Sequence, residues 1–295
     1  MIRIERHDIR TIAEEYFNLL NDWRKRLTKR SSLYALASVY PQKLRELILC
    51  EPGGLEKCRN HTGVAGTIFP DAYNAFFYNY YVDDAKTVNV AQWLSKRLKI
   101  RVCPYCNRTY TFTVEKEHTH SGRVVRIKPE MDHFFPKSNA KYQHLALSFY
   151  NLIPSCPICN HVKGKEQIDY HPYAGHLAKG GEPYFEVQMN NPNDNGIFPD
   201  NPIVTIQNSN KNVDILALKE LYLGHSDYVK ELLDKIQAYN HSLYEPLINS
   251  FQMAGKTSEY VDKLIWGTSV DVTELDKRPL SKLTHDILRQ FNVLD

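Results

Sequence analysis

Two pairs of cysteines with the spacing Cys-x-x-Cys are the clearest sign of chemistry in this 295-residue sequence. They are Cys103 with Cys106 and Cys156 with Cys159. Zn²⁺ takes four thiolates in a tetrahedron, and each Cys-x-x-Cys turn presents two sulfur atoms to one point. The sequence therefore predicts a structural zinc site made by these four cysteines, which holds the residues between the two pairs as a loop.

Side chains suited to hydrolysis lie inside and just after that loop. Asp132 and His133 begin the segment Asp-His-Phe-Phe-Pro-Lys-Ser, Asn151 precedes the second cysteine pair, and Asn160 and Lys163 follow it. A neutral imidazole takes a proton from water near neutral pH. A carboxylate is a hard oxygen ligand for Mg²⁺ or Mn²⁺. The pattern thus indicates a hydrolytic site next to the zinc.

The order Asp-His, then Asn, then Cys-x-x-Cys-Asn-x-x-Lys resembles the HNH endonuclease superfamily, the ββα-metal nucleases, in the branch with paired zinc knuckles. The resemblance spans about residues 98–175. The flanking His-Pro-Tyr at residues 171–173 is similar to the HNH subunit of Septu-type bacterial antiphage systems, which works beside an ATPase subunit. The resemblance implies a metal-dependent nuclease acting on DNA or RNA in antiphage defence, with an ATPase as its partner.

The resemblance also implies a role for each side chain of the motif. His133 is the general base, and Asn151 orients its ring. Asp132 and Asn160 are the ligands of a catalytic Mg²⁺ or Mn²⁺ ion, which the site needs in addition to the structural zinc. His161 is the alternative to Asn160, and an imidazole there would favour Zn²⁺, Ni²⁺ or Mn²⁺.

Two lysines near the motif, Lys137 and Lys163, are expected to contact phosphate groups close to the scissile bond, or else to be ordinary surface lysines. A non-catalytic zinc module that binds nucleic acid or protein is the main rival interpretation, and a stand-alone restriction-type HNH nuclease is another. Asp132, His133 and Asn151 together favour a nuclease, because a binding module needs no base with an orienting amide and a hard ligand.

Two other uses of Cys-x-x-Cys fit the sequence less well. A glutaredoxin-like site has a helix after the motif, whereas Asn-Arg-Thr-Tyr-Thr-Phe-Thr-Val follows Cys106 and is rich in β-branched and aromatic residues. A zinc deaminase needs a His-x-Glu ahead of the second pair, and the sequence before Cys156 has none in that context.

Charge is distributed unevenly along the chain, although the net charge is only +3. Lysine and arginine outnumber aspartate and glutamate by four in residues 1–97 and by five in residues 98–175, whereas acidic residues are in excess by six in residues 176–295. A polyanionic substrate is attracted to the basic part, and the acidic part is better suited to a protein partner. We expect the ATPase to contact the C-terminal helices, including the last helix (residues 281–295), and the aromatic run of residues 76–81.

The composition is that of a globular protein, with 42% apolar residues. No segment approaches the roughly 18 consecutive apolar residues of a membrane helix, and the charged first ten residues do not resemble a signal peptide. A cytoplasmic location without membrane attachment is therefore expected, in which cysteines stay reduced and free for metal. The remaining two, Cys50 and Cys58, are interpreted as structural thiols.

The predicted fold class is α+β, with an α-helical region (residues 1–97), a ββα-metal core (residues 98–175) and a β-hairpin followed by helices (residues 176–295). Apolar residues at helical spacing predict one helix over residues 12–27 and a second over residues 36–48, with Pro41 as a kink or first-turn residue.

Alternating residues predict strands around the motif and after it. They lie at residues 100–102, 109–114 and 124–127, with a turn near Gly122, and the strand after that turn is expected to deliver Asp132 and His133. A hairpin is predicted from residues 185–189 and 203–205, joined by a long loop rich in Asn, Pro and Asp. One later helix is predicted to bury Val229, Leu232, Leu233, Ile236 and Leu243, and a last helix Leu283, Ile287, Leu288 and Phe291.

Overall fold

A computed structural model gives the structure of the protein and divides the chain into two compact units. The motif unit comprises residues 3–100 and 111–177, and the C-terminal unit comprises residues 1–2, 101–110 and 178–295. The structure describes residues 1–79, 82–83, 86–87, 89–117, 124–174, 182–189, 198, 201–239 and 241–294.

The motif unit contains helices and short antiparallel strand pairs. Its helices are α1 (Ile9–Lys25), α2 (Pro41–Ile48), α3 (Ile68–Asn79), α4 (Val90–Leu98) and α5 (Pro157–Lys163). Its strands are β1 (Val82–Asp83), β2 (Lys86–Thr87), β3 (Val114–Glu117), β4 (Val124–Ile127), β5 (Glu130–His133) and β6 (Leu152–Ser155). They pair as β1–β2, β3–β4 and β5–β6.

Helix α1 confirms the first predicted helix and forms much of the core of the motif unit. Tyr16 and Trp23 are buried on the predicted face, and both rings lie against Phe76 of α3, with centroids 5.7 and 5.4 Å apart. The Tyr16 hydroxyl donates a hydrogen bond to the Leu147 carbonyl at 3.2 Å. Large aromatic side chains thus link α1 to α3 and to the segment that precedes β6.

The second predicted helix is interrupted. Residues Tyr34–Ser38 form a 3-10 turn, and α2 begins only at Pro41, which is its first residue. Proline suits the first helical position because it lacks the N–H that would be unpaired there, and it favours extended backbone in the residue before it. Tyr40 is extended and 69% exposed, so it does not join the buried face.

The aromatic run of residues 76–81 is divided between core and surface. Phe76 and Phe77 of α3 are completely buried, whereas Tyr78 is 46% exposed. Tyr80 and Tyr81 lie outside the described residues. A contact between a partner and Phe76 or Phe77 is therefore incompatible with the fold of the motif unit, because both side chains are already packed inside it.

The strand that carries Asp132 and His133 differs from the predicted one. Strand β4 ends at Ile127, and β5 is a separate strand that pairs with β6, opposing Asp132 to Ile153. Pro129 separates the two strands, because proline has no N–H for a ladder. The predicted strand over residues 109–114 begins only at Val114, and the predicted turn at Gly122 lies outside the described residues.

The C-terminal unit combines one hairpin with a set of helices. Its elements are β7 (Tyr184–Gln188), β8 (Ile203–Gln207), α6 (Lys211–Ile215), α7 (Leu218–Leu223), α8 (Ser226–Ala238), α9 (His241–Met253), α10 (Ser258–Trp266) and α11 (Ser281–Gln290). The predicted β7–β8 hairpin is confirmed, with Val187 opposite Val204. Most of its loop, residues 190–197 and 199–200, lies outside the described residues.

Helix α8 confirms the predicted apolar face in part. Val229, Leu232, Leu233 and Ile236 are buried in it. Leu243 instead belongs to α9 and is 56% exposed, so its assignment to the same face was wrong. The helix ends at Ala238, before the spacing reaches Leu243.

Helix α11 is an internal part of the C-terminal unit, which corrects the expectation that it is free to dock a partner. Residues 281–288 are all buried. The Asp286 carboxylate accepts the Phe185 N–H at 2.9 Å, and the Gln290 side chain exchanges two hydrogen bonds with the backbone of Val187, at 2.8 and 2.9 Å. These side chains satisfy backbone groups of β7 that a two-stranded sheet leaves unpaired.

The α+β class is confirmed for the described residues, and a ββα-metal core stays a prediction. None of the helices in the described ranges combines the length and apolar character needed to cross a membrane.

The turn that contains the first cysteine pair is fixed to the start of α11 by Asn107. This residue is fully buried and has a left-handed backbone, with φ of 50°. Its Oδ1 accepts the Lys282 N–H at 2.9 Å, its Nδ2 donates to the Leu275 carbonyl at 2.9 Å, and its carbonyl accepts the Leu280 N–H at 2.6 Å. Asn107 therefore joins the turn to residues 275–282, which lie far from it in sequence.

We predict that Asn107→Ala lowers the free energy of unfolding by about 2–4 kcal/mol, because it leaves buried donor and acceptor groups without partners. Denaturant unfolding measures the loss. Asn292→Ala is the matched control, since Asn292 also has a positive φ of 53° but is exposed. Equal losses in the two variants would show that backbone conformation, rather than the buried hydrogen bonds, makes Asn107 important.

Candidate functional site

The four cysteines of the two Cys-x-x-Cys pairs form one buried cluster. The sulfur atoms of Cys103, Cys106, Cys156 and Cys159 all lie within 4.8 Å of one another, and none of the four is in a disulfide. Sulfur atoms about 3.8 Å apart surround a tetrahedral zinc ion with Zn–S bonds of about 2.3 Å. The cluster can therefore hold a structural metal ion such as zinc, as the sequence predicts.

Local structure prepares the second pair for metal binding. Cys156 is the N-cap of α5, its Sγ accepts the Cys159 N–H at 3.4 Å, and Pro157 occupies the first turn. The amino end of a helix carries partial positive charge, which stabilises a thiolate. In the first pair, the Cys106 carbonyl accepts a hydrogen bond from the Tyr222 hydroxyl. Hydrogen bonds thus position both turns.

Lys163 is buried inside the motif unit, contrary to the expectation that it contacts substrate phosphate. Its side chain is 0% exposed. Its Nζ lies 3.1 Å from both carboxylate oxygens of Asp132 and donates to the His133 carbonyl at 2.8 Å. A buried ammonium requires such partners, because unpaired burial of a charge is very costly. Lys163 therefore positions Asp132 and the end of β5.

His133 is held through one ring nitrogen by a backbone carbonyl. Its Nε2 lies 3.0 Å from the carbonyl oxygen of Ala146. A carbonyl oxygen only accepts hydrogen bonds, so Nε2 carries the proton and Nδ1 of the neutral ring has the free lone pair. The edge-to-face contact with Tyr73, at 4.5 Å between centroids, further fixes the plane of the ring.

Burial keeps the His133 ring neutral. Removal from water lowers the pKa of His133 to about 3, and the nearby positive charges of Lys137 and Lys163 act in the same direction. The hydrogen bond with Ala146 opposes this effect without overcoming it. The imidazole is therefore unprotonated at neutral pH and able to accept a proton, but it is a weaker base than a histidine in water with its pKa near ~6.5.

Asn151 orients the site through the backbone rather than through the histidine ring. In the described part of the chain its side chain accepts the Phe135 N–H at 2.8 Å and donates to the carbonyls of Phe135 and Leu145, each at 3.1 Å. It thus ties the residues after His133 to the turn that contains Ala146. Sequence reasoning missed the Ala146 carbonyl, because a backbone acceptor leaves no trace in residue type.

The expected ligands of a catalytic cation each have a polar partner. Asp132 is paired with Lys163, and the Nδ2 of Asn160 donates to the Glu130 carboxylate at 2.6 Å. His161 is exposed. The Oδ1 of Asn160 and the carboxylate of Asp132 are hard oxygen donors, which suit Mg²⁺ or Mn²⁺. Glu130, which the sequence gave no reason to select, adds a carboxylate next to Asn160.

Within the described ranges, the four cysteines are the only group of three or more His, Cys, Asp or Glu side chains arranged to hold a metal ion. A second, catalytic cation at Asp132 and Asn160 therefore stays a prediction.

Helix α3 contributes two residues to the surroundings of His133. Tyr73 is 1% exposed, and burial together with the charge of Asp132 raises the pKa of its hydroxyl. Asn74 accepts a hydrogen bond from Lys137 Nζ at 3.3 Å, and the same ammonium lies 4.4 Å from the centre of the Tyr73 ring. Lys137 is half-buried close to His133, where it can reach a phosphate group.

Comparison of this chain with models of known protein families, with curated proteins and with solved structures finds no match. The functional conclusion therefore depends on the motif and on the geometry of its side chains.

We predict that the purified protein contains one zinc ion per chain, because four buried thiolates leave no open position for exchange. Elemental analysis measures the content. Cys156→Ser is expected to lose most of the zinc and to unfold at lower denaturant concentration, whereas Cys50→Ser, outside the cluster, keeps both properties. A wild-type protein without zinc, or a Cys156→Ser variant with unchanged zinc and stability, would contradict the assignment.

Proposed function

We propose that the protein is a metal-dependent endonuclease of the HNH type, which hydrolyses phosphodiester bonds of nucleic acid. The observation that carries this proposal is a neutral His133 at the end of β5, the first strand in the order β5–β6–α5. Its Nε2 is bonded to the Ala146 carbonyl, which leaves Nδ1 unprotonated. Asp132 precedes His133, and Asn160 is on the helix. Zinc modules that only bind a partner do not require a buried, oriented imidazole.

In the proposed reaction, Nδ1 of His133 takes a proton from water while the water oxygen attacks phosphorus. The P–O3′ bond then breaks, and the products carry a 5′-phosphate and a 3′-hydroxyl. Burial disfavours the imidazolium that forms, so the proton has to pass on to the leaving oxygen or to solvent. The ammonium of Lys137 stabilises negative charge on the phosphate from nearby.

Asp132 and Asn160 would hold a Mg²⁺ or Mn²⁺ ion, which supplies neutralisation of the charge that develops on the phosphate oxygens. The ammonium of Lys163 meets both oxygens of Asp132 at equal distance, and this fixes the plane of the carboxylate. A carboxylate has about four lone-pair positions, so it accepts a further ligand beside that ammonium.

We predict that His133→Gln abolishes cleavage without loss of folding. Glutamine can place an N–H near the position of Nε2 and keep the bond to Ala146, but it has no basic nitrogen in place of Nδ1. We expect cleavage to fall by at least about 100-fold. Digestion of plasmid, single-stranded DNA and tRNA with Mg²⁺, Mn²⁺ or EDTA measures the activity.

His61→Gln is the matched control, because His61 is exposed in the same unit, lies outside the motif, and is the same type of residue. It is expected to cut as the wild type does. Near-normal cleavage by His133→Gln, or no cleavage of any substrate by the wild type, would favour the rival interpretation, in which the protein is a non-catalytic zinc module. Loss of activity in a further variant, His161→Gln, would instead identify His161 as the cation ligand.

We propose further that the nuclease acts in antiphage defence with an ATPase partner, as the resemblance to Septu-type subunits implies. Exposed apolar side chains in the acidic C-terminal unit support a protein contact there, namely Leu243, Met253, Tyr260 and Leu264 of α9 and α10. These helices, rather than the buried α11, are the candidate contact surface.

We predict that Leu264→Glu reduces co-purification with the ATPase encoded beside this chain, because it places a charge in an apolar contact. Metal-dependent cutting by the isolated chain is expected to stay unchanged, since Leu264 is 59% exposed. Ile127→Glu is the control, because Ile127 is equally exposed, at 58%, but lies in the motif unit. Strong cleavage by the chain alone, with no bound partner, would favour a stand-alone restriction-type nuclease.

A further inference from the structure

A surface of two tyrosines and two lysines lies beside His133 in the motif unit. Tyr73 touches the His133 ring, and the exposed ring of Tyr78 meets Tyr73 edge-on, with centroids 5.9 Å apart. The Nζ of Lys137 lies 4.4 Å from the centre of the Tyr73 ring, and the Nζ of Lys128 lies 5.4 Å from the centre of the Tyr78 ring. We refer to these four residues as the Tyr-Lys surface.

Both ammonium groups of this surface lack an acidic partner in the described part of the chain. Among the described residues, the Lys137 ammonium has a hydrogen bond to Asn74 and lies over the Tyr73 ring, and the Lys128 ammonium lies over the Tyr78 ring. The charge of Glu130 reaches Lys128, but the Glu130 carboxylate is engaged by Asn160 at 2.6 Å. Partial burial disfavours the charge of each lysine and lowers the pKa of each.

Two other lysines of the same unit do have carboxylate partners. Lys96 pairs with Glu115, and Lys163 pairs with Asp132. Lys137 lies near the proposed base and Lys128 lies beside the exposed Tyr78 ring. An anion that binds these two half-buried cations would stabilise their charges. Phosphate groups are the anions that the proposed function brings to this position.

The exposed ring of Tyr78 decides which form of nucleic acid fits. A base stacks on an aromatic side chain through its face. In a duplex both faces of each base are covered by neighbouring bases, whereas an unpaired base offers a free face. A tyrosine ring that is 46% exposed next to a lysine therefore suits an unpaired base with its own phosphate.

The geometry points to a binding site for single-stranded nucleic acid on the Tyr-Lys surface, which leads the strand to His133. Tyr78 stacks on an unpaired base, and Lys128 and Lys137 bind the phosphates that flank it. The buried ring of Tyr73 packs against both Tyr78 and the His133 ring and so connects the surface to His133. This inference rests on the proposed function for the position of the cut, whereas the binding itself is measured without any cleavage.

The test is the fluorescence anisotropy of a labelled oligonucleotide of about 12 nucleotides, without added Mg²⁺ or Mn²⁺ and without chelator, so that the structural zinc is kept and metal-dependent cleavage does not deplete the probe. DNA and RNA single strands are each compared with the blunt duplex of the same sequence. The single strand is expected to bind at least about tenfold more tightly than the duplex. Tyr78→Ala is expected to weaken single-strand binding by about fivefold or more, and Tyr78→Phe to retain it.

Tyr40→Ala is the matched aromatic control, because Tyr40 is 69% exposed in the same unit but distant in sequence from the motif. Lys137→Gln removes the charge and keeps a donor for Asn74. With Lys137→Gln or Lys128→Gln, the slope of log K against log salt is expected to fall by about 0.7, the value for one phosphate contact to a single strand. Lys43→Gln, an exposed lysine of α2, is the charge control and should leave the slope unchanged.

Duplex binding as tight as single-strand binding would overturn the inference. So would wild-type affinity in both Tyr78→Ala and Lys137→Gln. Failure of the proposed nuclease has a different signature, since it appears as an absence of cutting in the digestion assay while binding through Tyr78 and the two lysines persists. The two ideas can therefore fail separately.

Discussion

The buried ammonium of Lys163 is the constraint on which the arrangement of the candidate site depends. It joins the end of α5 to the end of β5 through both oxygens of Asp132 and the carbonyl of His133. Removing one member of such a buried pair leaves an uncompensated charge and costs about 3–5 kcal/mol. The pair therefore stabilises one relative position of the strand and the helix. The distances from Asp132 and His133 on β5 to Asn160 on α5 depend on that relative position.

The orientation of His133 follows from backbone hydrogen bonds that surround it. The ring is fixed by the Ala146 carbonyl, and the turn that presents this carbonyl is tied to the strand end by Asn151. Burial then keeps the ring neutral. A general base needs this combination of a fixed tautomer and an unprotonated state, although strong desolvation also lowers its basicity. The hydrogen bond to Ala146 therefore fixes the orientation of the His133 ring, whereas burial makes it a weaker base.

The two cysteine pairs are prepared for metal in different ways. In the second pair, the start of α5 supplies an N–H group and positive partial charge to Cys156. In the first pair, the turn is held by Asn107, whose side chain and carbonyl bind the start of α11 and the residue Leu275. Each turn is thus held by hydrogen bonds of its own.

The sequence by itself determined the residue types and spacing that make chemistry possible. The cysteine cluster, helix α1 and the β7–β8 hairpin follow from local patterns, because ligand spacing and alternation of apolar residues are properties of short segments. Only the tertiary structure decided that Lys163 is internal, that Ala146 holds His133, and that α11 is core rather than a docking helix. These outcomes depend on which surfaces pack together and which backbone groups then need partners. Residue identity does not reveal either, because the sequence is the same whether a lysine side chain or a backbone carbonyl faces water or the core.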